Sequence, residues 1–557
     1  MKLVLCWAGI GALAWAGCAS AQVAVQGAHR EISGVVVSAK TGEPLAGAQV
    51  VIIRTRDRKV VAQASSDGEG SFVFANMEDG KFDLSASREG YIRASYQQHE
   101  GGISTAIVTG EGMISTGLRF ELEPQARIYG RVEEDSGDPV PRAHVSLFRA
   151  DRNGGTGRMV QARAASVDAV GNFEFAGLEE GEYYACATGS PWYAQPSRFM
   201  RSAPQQSGSY QSRALLDVAY ATTCYPEATN PKEAEPIRVG AGERLSLNIT
   251  MHPEPAMHLI VPLPASDGQH GFAPPQLTRE IFGVAELVPT ESSFTNFTVG
   301  SQNGETSRPT ATEITGFTAG QLDVQLPGQD GEAMRHMSVD AESTSLNLET
   351  SGATPMAEFT GQVKMADGGG LPPGAFLSLI AVQGNESQAT SILADGSFKI
   401  QSLKAGRYEV GLAASGHFMA IDQLSAKGAQ VGGETLTVGT EPVTLTAIIR
   451  DANTTVSGLA TRKGVPTSGI FVLLVPSNIR TMRARLQPNQ SDSDGSFNFQ
   501  NVAPGAYTIV AIEEGWKLNW ARPEVLEPYL SHGEKVSVDL KAQEVNLSHH
   551  VEAQPMQ

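Results

Sequence analysis

Cysteine is scarce in this chain, and half of it is spent early. Four cysteines occur in 557 residues, and Cys6 and Cys18 fall within the first 21. Beyond residue 21 only Cys186 and Cys224 remain, too few for a cysteine-rich zinc framework or a multiply stapled mini-domain. Cationic residues are also short: 42 Lys and Arg stand against 60 Asp and Glu, a net charge of −18. Such a chain repels phosphate backbones and anionic lipid surfaces, so no nucleic-acid partner is expected. After residue 21 no apolar run reaches the roughly 20 residues a spanning helix needs, so the mature chain has no expected transmembrane segment. Helical periodicity is absent beyond the N-terminal segment. No nucleophile elbow, Walker loop or dinucleotide fingerprint appears. No catalytic, cofactor-binding or metal-ligating residue is assigned, and the chain is expected not to be an enzyme.

What is present begins with an export signal. Lys2 is followed by the apolar run Leu3 to Gly17 and by Ala19-Ser20-Ala21, a small-x-small cleavage site. Residues 1–21 are expected to be removed, leaving Gln22 first and lowering the net charge by one, to −19. A lipoprotein anchored through Cys18 is the competing reading, against which Trp15 stands where a small aliphatic residue is favoured. The expected location is periplasmic, outer-surface or extracellular. In an oxidising compartment Cys186 and Cys224 read as one disulfide.

A repeat organises the rest. An aromatic residue is followed by apolar residues at +2 and +5, Gly at +8 and an aromatic at +10. Phe72, Phe74, Met77, Gly80 and Phe82 are one copy, and Phe173, Phe175, Leu178, Gly181 and Tyr183 a second. Phe398, Ile400, Leu403, Gly406 and Tyr408, then Phe497, Phe499, Val502, Gly505 and Tyr507, complete four. Ile314, Phe317, Gly320 and Leu322 fit a degenerate copy that lacks the first aromatic. Positions 0 and +2, and +10 and +12, share a strand face. The spacing predicts two core-facing strands with Gly in a tight connection, where positive φ carries no steric cost.

About 40 residues upstream of each clear copy stands a Gly inside an apolar strand, then a Pro-containing turn and another strand: Gly34 and Pro44, Gly130 and Pro139, Gly361 and Pro372, Gly458 and Pro466. Alternating closing strands are expected at Leu118-Phe120-Leu122, Leu245-Leu247-Ile249, Leu346-Leu348, Val443-Leu445 and Val536-Val538-Leu540. Short strands at this spacing predict β-sandwiches. The expected modules are 30–124, 126–253 with an insertion at 190–236, a degenerate 254–355, 356–451 and 453–545, followed by a polar tail, 546–557.

The string Gly-x-Val, Pro-Leu-Ala-Gly-Ala-x-Val, Asp-Gly-x-Gly-x-Phe-x-Phe and Gly-x-Phe within residues 32–84 resembles the carboxypeptidase regulatory-like domain family. The copies at 128–185, 359–410 and 456–509 are similar. The resemblance implies an all-β fold of tandem transthyretin-like, Greek-key β-sandwich modules, grouped with carbohydrate-binding-like folds. It implies no catalytic residue.

Several polar groups are weighed and set aside. His549 and Glu552 have ligand spacing but no further His, and are expected in a solvated tail. His99-Glu100 lies in a Gly-rich loop without a partner His. Asp492-x-Asp494-Gly495 opens like a calcium loop, but the twelfth position is Ala503, so a turn is expected. Lys40 falls in a loop, which counts against an isopeptide link.

The second module departs from its siblings. The outward +11 position is Tyr184, with Cys186 on the same face, and the insertion carries Trp192, Tyr193 and further aromatics. Two readings stand. In one, the insertion folds back, buries Tyr184 and is stapled by Cys186–Cys224. In the other, Tyr184, Trp192 and Tyr193 form a stacking platform for a sugar ring. The expected function is a non-catalytic binding or spacer protein of the cell envelope, its partner an unidentified polysaccharide or envelope protein. The alternatives are a structural or adhesive rod, or an accessory subunit of a separate envelope enzyme. Sequence assigns no oligomeric state.

Overall fold

The computed structural model describes residues 30–99, 102–151, 153–194, 216–262, 275–298, 308–326, 335–342, 345–347, 356–414 and 417–557. The expected signal segment with Cys6 and Cys18, and the middle of the 190–236 insertion, lie outside the described residues.

The protein is all-β, and the described residues form a series of two-sheet sandwiches. The first shows the plan. One sheet joins Ser71–Met77, Arg30–Ser38 and Leu118–Leu122; the other joins Val60–Ser65, Gln49–Arg54 and Gly80–Ser87, with Ile107–Thr109 on the far edge. Separate hydrophobic cores form around Ile32 and Phe120, Ile128 and Phe173, Leu259 and Phe317, Phe359 and Leu445, and Val456 and Phe497. Separate sandwich cores follow from size, since one core stops growing at a few hundred residues.

The opening Gly is required by close approach. The first strand of each sandwich runs parallel to the closing strand, with Gly34 opposite Leu118, Gly130 opposite Leu247 and Gly361 opposite Leu445. A Cβ on Gly130 would lie 1.5 Å from the Leu247 carbonyl oxygen, so only glycine fits. The +8 Gly meets the expectation of positive φ. Gly80, Gly181 and Gly505 stand at φ 158°, 157° and 154°, a conformation that L side chains rarely adopt. A Cβ there would make only ordinary contact with the +10 ring, at 3.5 to 3.8 Å, so the backbone and not the space requires glycine.

The +10 ring closes the motif with a hydrogen bond. Tyr183, Tyr408 and Tyr507 each donate a phenolic O–H to the carbonyl at +6, of Glu179, Lys404 and Ala503, at 2.9, 2.8 and 2.7 Å. Phe82 has no hydroxyl. Thr109 Oγ1 takes over, donating to the Glu78 carbonyl at 2.6 Å.

The C-terminal region corrects three expectations. The segment expected as a polar tail carries the strand Val551–Gln554, which runs parallel to both Thr454–Arg462 and Gly505–Ile512. Val551 is buried, and Glu552 accepts from Thr461, Lys463 and Gly464. Val536 and Val538 belong to Glu534–Val538, antiparallel to Gly505–Ile512; the parallel partners of Thr454–Arg462 are Glu544–Asn546 and Val551–Gln554. Leu540, expected to close the core, is 65% exposed. A helix, Pro523–Leu530, also forms. It is about two turns long, with Pro523 at its start and Pro528 inside it, too short for periodicity to register, and it buries Leu526 and Tyr529.

Candidate functional site

The sandwiches meet out of chain order. Strand Gly80–Ser87 of the first places Lys81 against the Asp492–Ser496 turn of the fifth. Lys81 Nζ lies 2.6 Å from Asp492 Oδ2 and 2.7 Å from Ser496 Oγ. Backbone bonds reinforce this, with Ser493 N donating to Ala106 O at 2.9 Å and Val108 N to Ser493 Oγ at 2.8 Å. Buried Gln490 donates to Gln97 O and Thr105 Oγ1. Beside it the His99 ring stacks on Trp516, centroids 3.5 Å apart and planes within 3°. Burial there pushes the His99 pKa down to about 4. His99, set aside as a loop residue, is thus an interface residue.

The Asp492 turn shows how this surface arose. In the first and second sandwiches Asp67 and Asp168, five residues before the repeat aromatic, accept backbone N–H groups of their own turns. In the fifth, Asp494 takes that capping duty from Ser496. Asp492 is left to accept from Ala106 N and pair with Lys81. Burial pushes its carboxyl up and Lys81 pulls against it. The turn expectation holds for Asp494, while Asp492 fastens a neighbour.

The second sandwich touches the third, fourth and fifth. Cys186 and Cys224 sit directly opposite each other on adjacent strands and form a disulfide. Both are buried, and Ile281, Phe282 and Val284 of the third sandwich cover them together with the end of the insertion. Tyr184 is half-buried against Phe282, ring centroids 5.1 Å apart. The outer face is therefore covered by a neighbour's hairpin as well as by the insertion. Trp192 is 76% exposed and meets Tyr193 edge-on at 5.7 Å. Tyr184 thus packs on the third sandwich, while Trp192 and Tyr193 pack on each other.

Asp217, within the insertion, reaches the third sandwich through His258. The buried imidazole lies 2.8 Å from Asp217 and 2.9 Å from Glu313. Burial alone would depress its pKa; the two carboxylates overcome this and hold it up at about 9. This is an ion-paired clasp between sandwiches. Lys40 donates to Ala241 O at 2.7 Å, fastening the first sandwich to the second.

Separate from these contacts lies a cleft of about 1070 Å³ with walls from four sandwiches. The second contributes Arg158 to Gln161, the third Glu280 and Asp323, the fourth Ser387 to Ala389, and the fifth Arg483 and Trp520. Arg158 donates to the carbonyls of Ala381 and Val382, and Asn385 Nδ2 bridges Met159 O and Phe282 O at 2.6 and 3.0 Å. Sequence reasoning missed this site because no single repeat contains it. Among the described residues no group of three His, Cys, Asp or Glu could hold a metal ion, and no helix is long and apolar enough to cross a membrane.

Comparison with family models gives two matches. Residues 31–109 match the carboxypeptidase regulatory-like domain. Residues 455–527, in the fifth sandwich, match the second β-sandwich domain of the BOS complex subunit NOMO1-like family. The chain is thus a tandem array of β-sandwich modules, the first of carboxypeptidase regulatory-like type. A search of curated proteins finds no match. Similar solved structures include the shaft pilin SpaA of Lactobacillus rhamnosus GG, at 10% identity over 41% of this chain and 98% of the pilin, TM-score 0.19. The minor pilin GBS52 of Streptococcus agalactiae gives 13% identity over 43% and 100%, TM-score 0.19. The Bacillus anthracis TIE protein gives 9% over 95% and 73%, TM-score 0.16. Likeness at this level carries no argument about function.

Proposed function

We propose that the chain is an exported, non-catalytic binding scaffold of the cell envelope, its modules held as one closed body around a cleft. The observation that carries this is the docking of the first module on the fifth through Lys81 and Asp492. A spacer or adhesive rod needs contacts between sequential modules only, whereas here the chain closes on itself. A disulfide and an expected signal segment support export. The pairs Lys81–Asp492 and His258–Asp217 fasten modules together. In the test, immobilised full-length protein is offered envelope polysaccharides and envelope proteins separately. Retention of one class, competed by free protein, is expected; retention of neither contradicts the reading.

Exposed Trp192 favours a second reading, in which a sugar ring stacks on its face. On that reading Trp192→Ala abolishes binding to an insoluble polysaccharide that the parent protein retains. Equal retention by both proteins contradicts it.

A further inference from the structure

We propose that the cleft takes an extended, basic segment of a partner polypeptide, added as a strand to the open edge Ser387–Ser391 of the fourth module. This names the partner chemistry for the scaffold reading above and rests on it.

Three strands that end their sheets converge on the cleft: Arg158–Ser166, Val284–Leu287 and Ser387–Ser391. A terminal strand presents a row of backbone N–H and C=O groups that can template another chain. Three of the equivalent edges are blunted. Val60–Ser65 and Arg158–Ser166 each contain a register shift against the neighbouring strand, and Gln487–Gln490 contains Pro488. Ser387–Ser391 has none of these devices. Its Ser-Gln-Ala-Thr-Ser sequence lacks Pro and Lys, and it pairs with Phe376–Ala381 in unbroken register. Val284–Leu287 is regular as well, but its Glu286 accepts from Ser146 of the second module, which leaves Ser387–Ser391 as the regular edge open to the cleft among the described residues.

Charge selects the guest. The cationic groups of the cleft already have partners: Lys404 with Glu386 at 2.5 Å, Arg483 with Glu409 at 2.6 Å, and Arg158 with two carbonyls. Glu280 and Asp323, on the outer face of the third module's sheet, are in no ion pair among the described residues. Asp323 Oδ1 is buried and accepts no hydrogen bond from them. A buried carboxylate oxygen without a donor is costly, and a Lys or Arg side chain of the guest supplies one. At about 1070 Å³ the cleft exceeds the usual range for small-molecule sites of roughly 300–1,000 Å³, which suits a chain segment.

The test is fluorescence anisotropy on the full-length protein at low salt with three labelled decapeptides: alternating Lys-Thr, alternating Glu-Thr, and Lys-Thr with alternate backbone nitrogens methylated. Lys-Thr is expected to bind at least about tenfold more tightly than either of the others, because charge and backbone N–H groups both contribute. The variant Glu280→Gln/Asp323→Asn is expected to weaken Lys-Thr binding about tenfold with its melting temperature unchanged. Equal binding of the methylated peptide, or equally effective competition by spermine, overturns strand addition. Absence of Lys-Thr binding, or undiminished binding by the double variant, overturns the cleft assignment. The peptide arms need only the parent protein, so they decide even if the variant misfolds. Failure here, with envelope material still retained, leaves the scaffold reading standing.

Discussion

Lys81 Nζ and Asp492 Oδ2 lie 2.6 Å apart although 411 residues of chain separate them. The bond joins the first module to the fifth. It exists because Asp494 caps the local turn and releases Asp492 to act between modules.

Replacing Asp492 should therefore loosen one interface and spare the fold. Asp492→Ala removes the acceptor for Lys81 and for Ala106 N. Hydrogen exchange should quicken at Ala106–Val108 and at Gln490–Ser493, while the strands of the third module keep their protection. Asp494→Ala should instead disturb the turn itself. Unchanged exchange in Asp492→Ala would show that the pair is incidental.

Reduction of Cys186–Cys224 should reach beyond the second module. The bond closes a loop of 38 residues, about 4 kcal/mol in the chain-entropy model. Because Ile281 and Phe282 rest on the disulfide face, exchange should rise in Gln276–Leu287 as well as in His144–Thr188. The fifth module should be unaffected. Two free thiols in the exported protein would contradict the account of how this face is covered.

His258 gives a dependence on alkaline pH. Its folded pKa, about 9, exceeds the ordinary 6.5. Its contribution is therefore complete below about 6.5 and is lost as pH rises through about 9. Thermal stability of the Asp217–His258 junction should fall between pH 7 and 10, and His258→Gln should remove that slope. An imidazole titrating near 6.5 by NMR would refute the clasp.

The exchange of roles between Thr109 and the repeat tyrosines can be tested by swapping them. Thr109→Val takes from the Glu78 carbonyl its part-buried hydroxyl donor and should cost about 1 kcal/mol, the net worth of such a bond. Adding Phe82→Tyr should restore much of that loss by rebuilding the bond that Tyr183, Tyr408 and Tyr507 make. A double variant no more stable than Thr109→Val would show that the two positions are not interchangeable.

The legible part of the sequence was what repeats. Phe72, Phe173, Phe398 and Phe497 with their +2 partners mark strands because alternation is local, and Gly130 marks a close approach because glycine is unusual inside an apolar strand. The Cys186–Cys224 pairing followed from there being no other cysteines after residue 21. Less legible was anything that depends on a neighbour. Asp492 looks like a turn aspartate, and His99 like a loop histidine, until Lys81 and Trp516 arrive from distant sequence. Val551 sits alone among polar residues, so its strand gave no alternation. Val536 and Val538 gave one, and it did not say which sheet they joined. The cleft has no sequence pattern, because Glu280, Ser387 and Arg158 converge only after the modules pack.

Small-angle X-ray scattering of the monomeric full-length protein tests the central claim most directly. One closed body of this length should have a radius of gyration somewhat above the roughly 24 Å of a single compact domain, with no extended tail in its distance distribution. Asp492→Ala should enlarge it. A radius roughly twice that value in the parent protein, with the distance profile of a string of separate modules, would contradict the closed body.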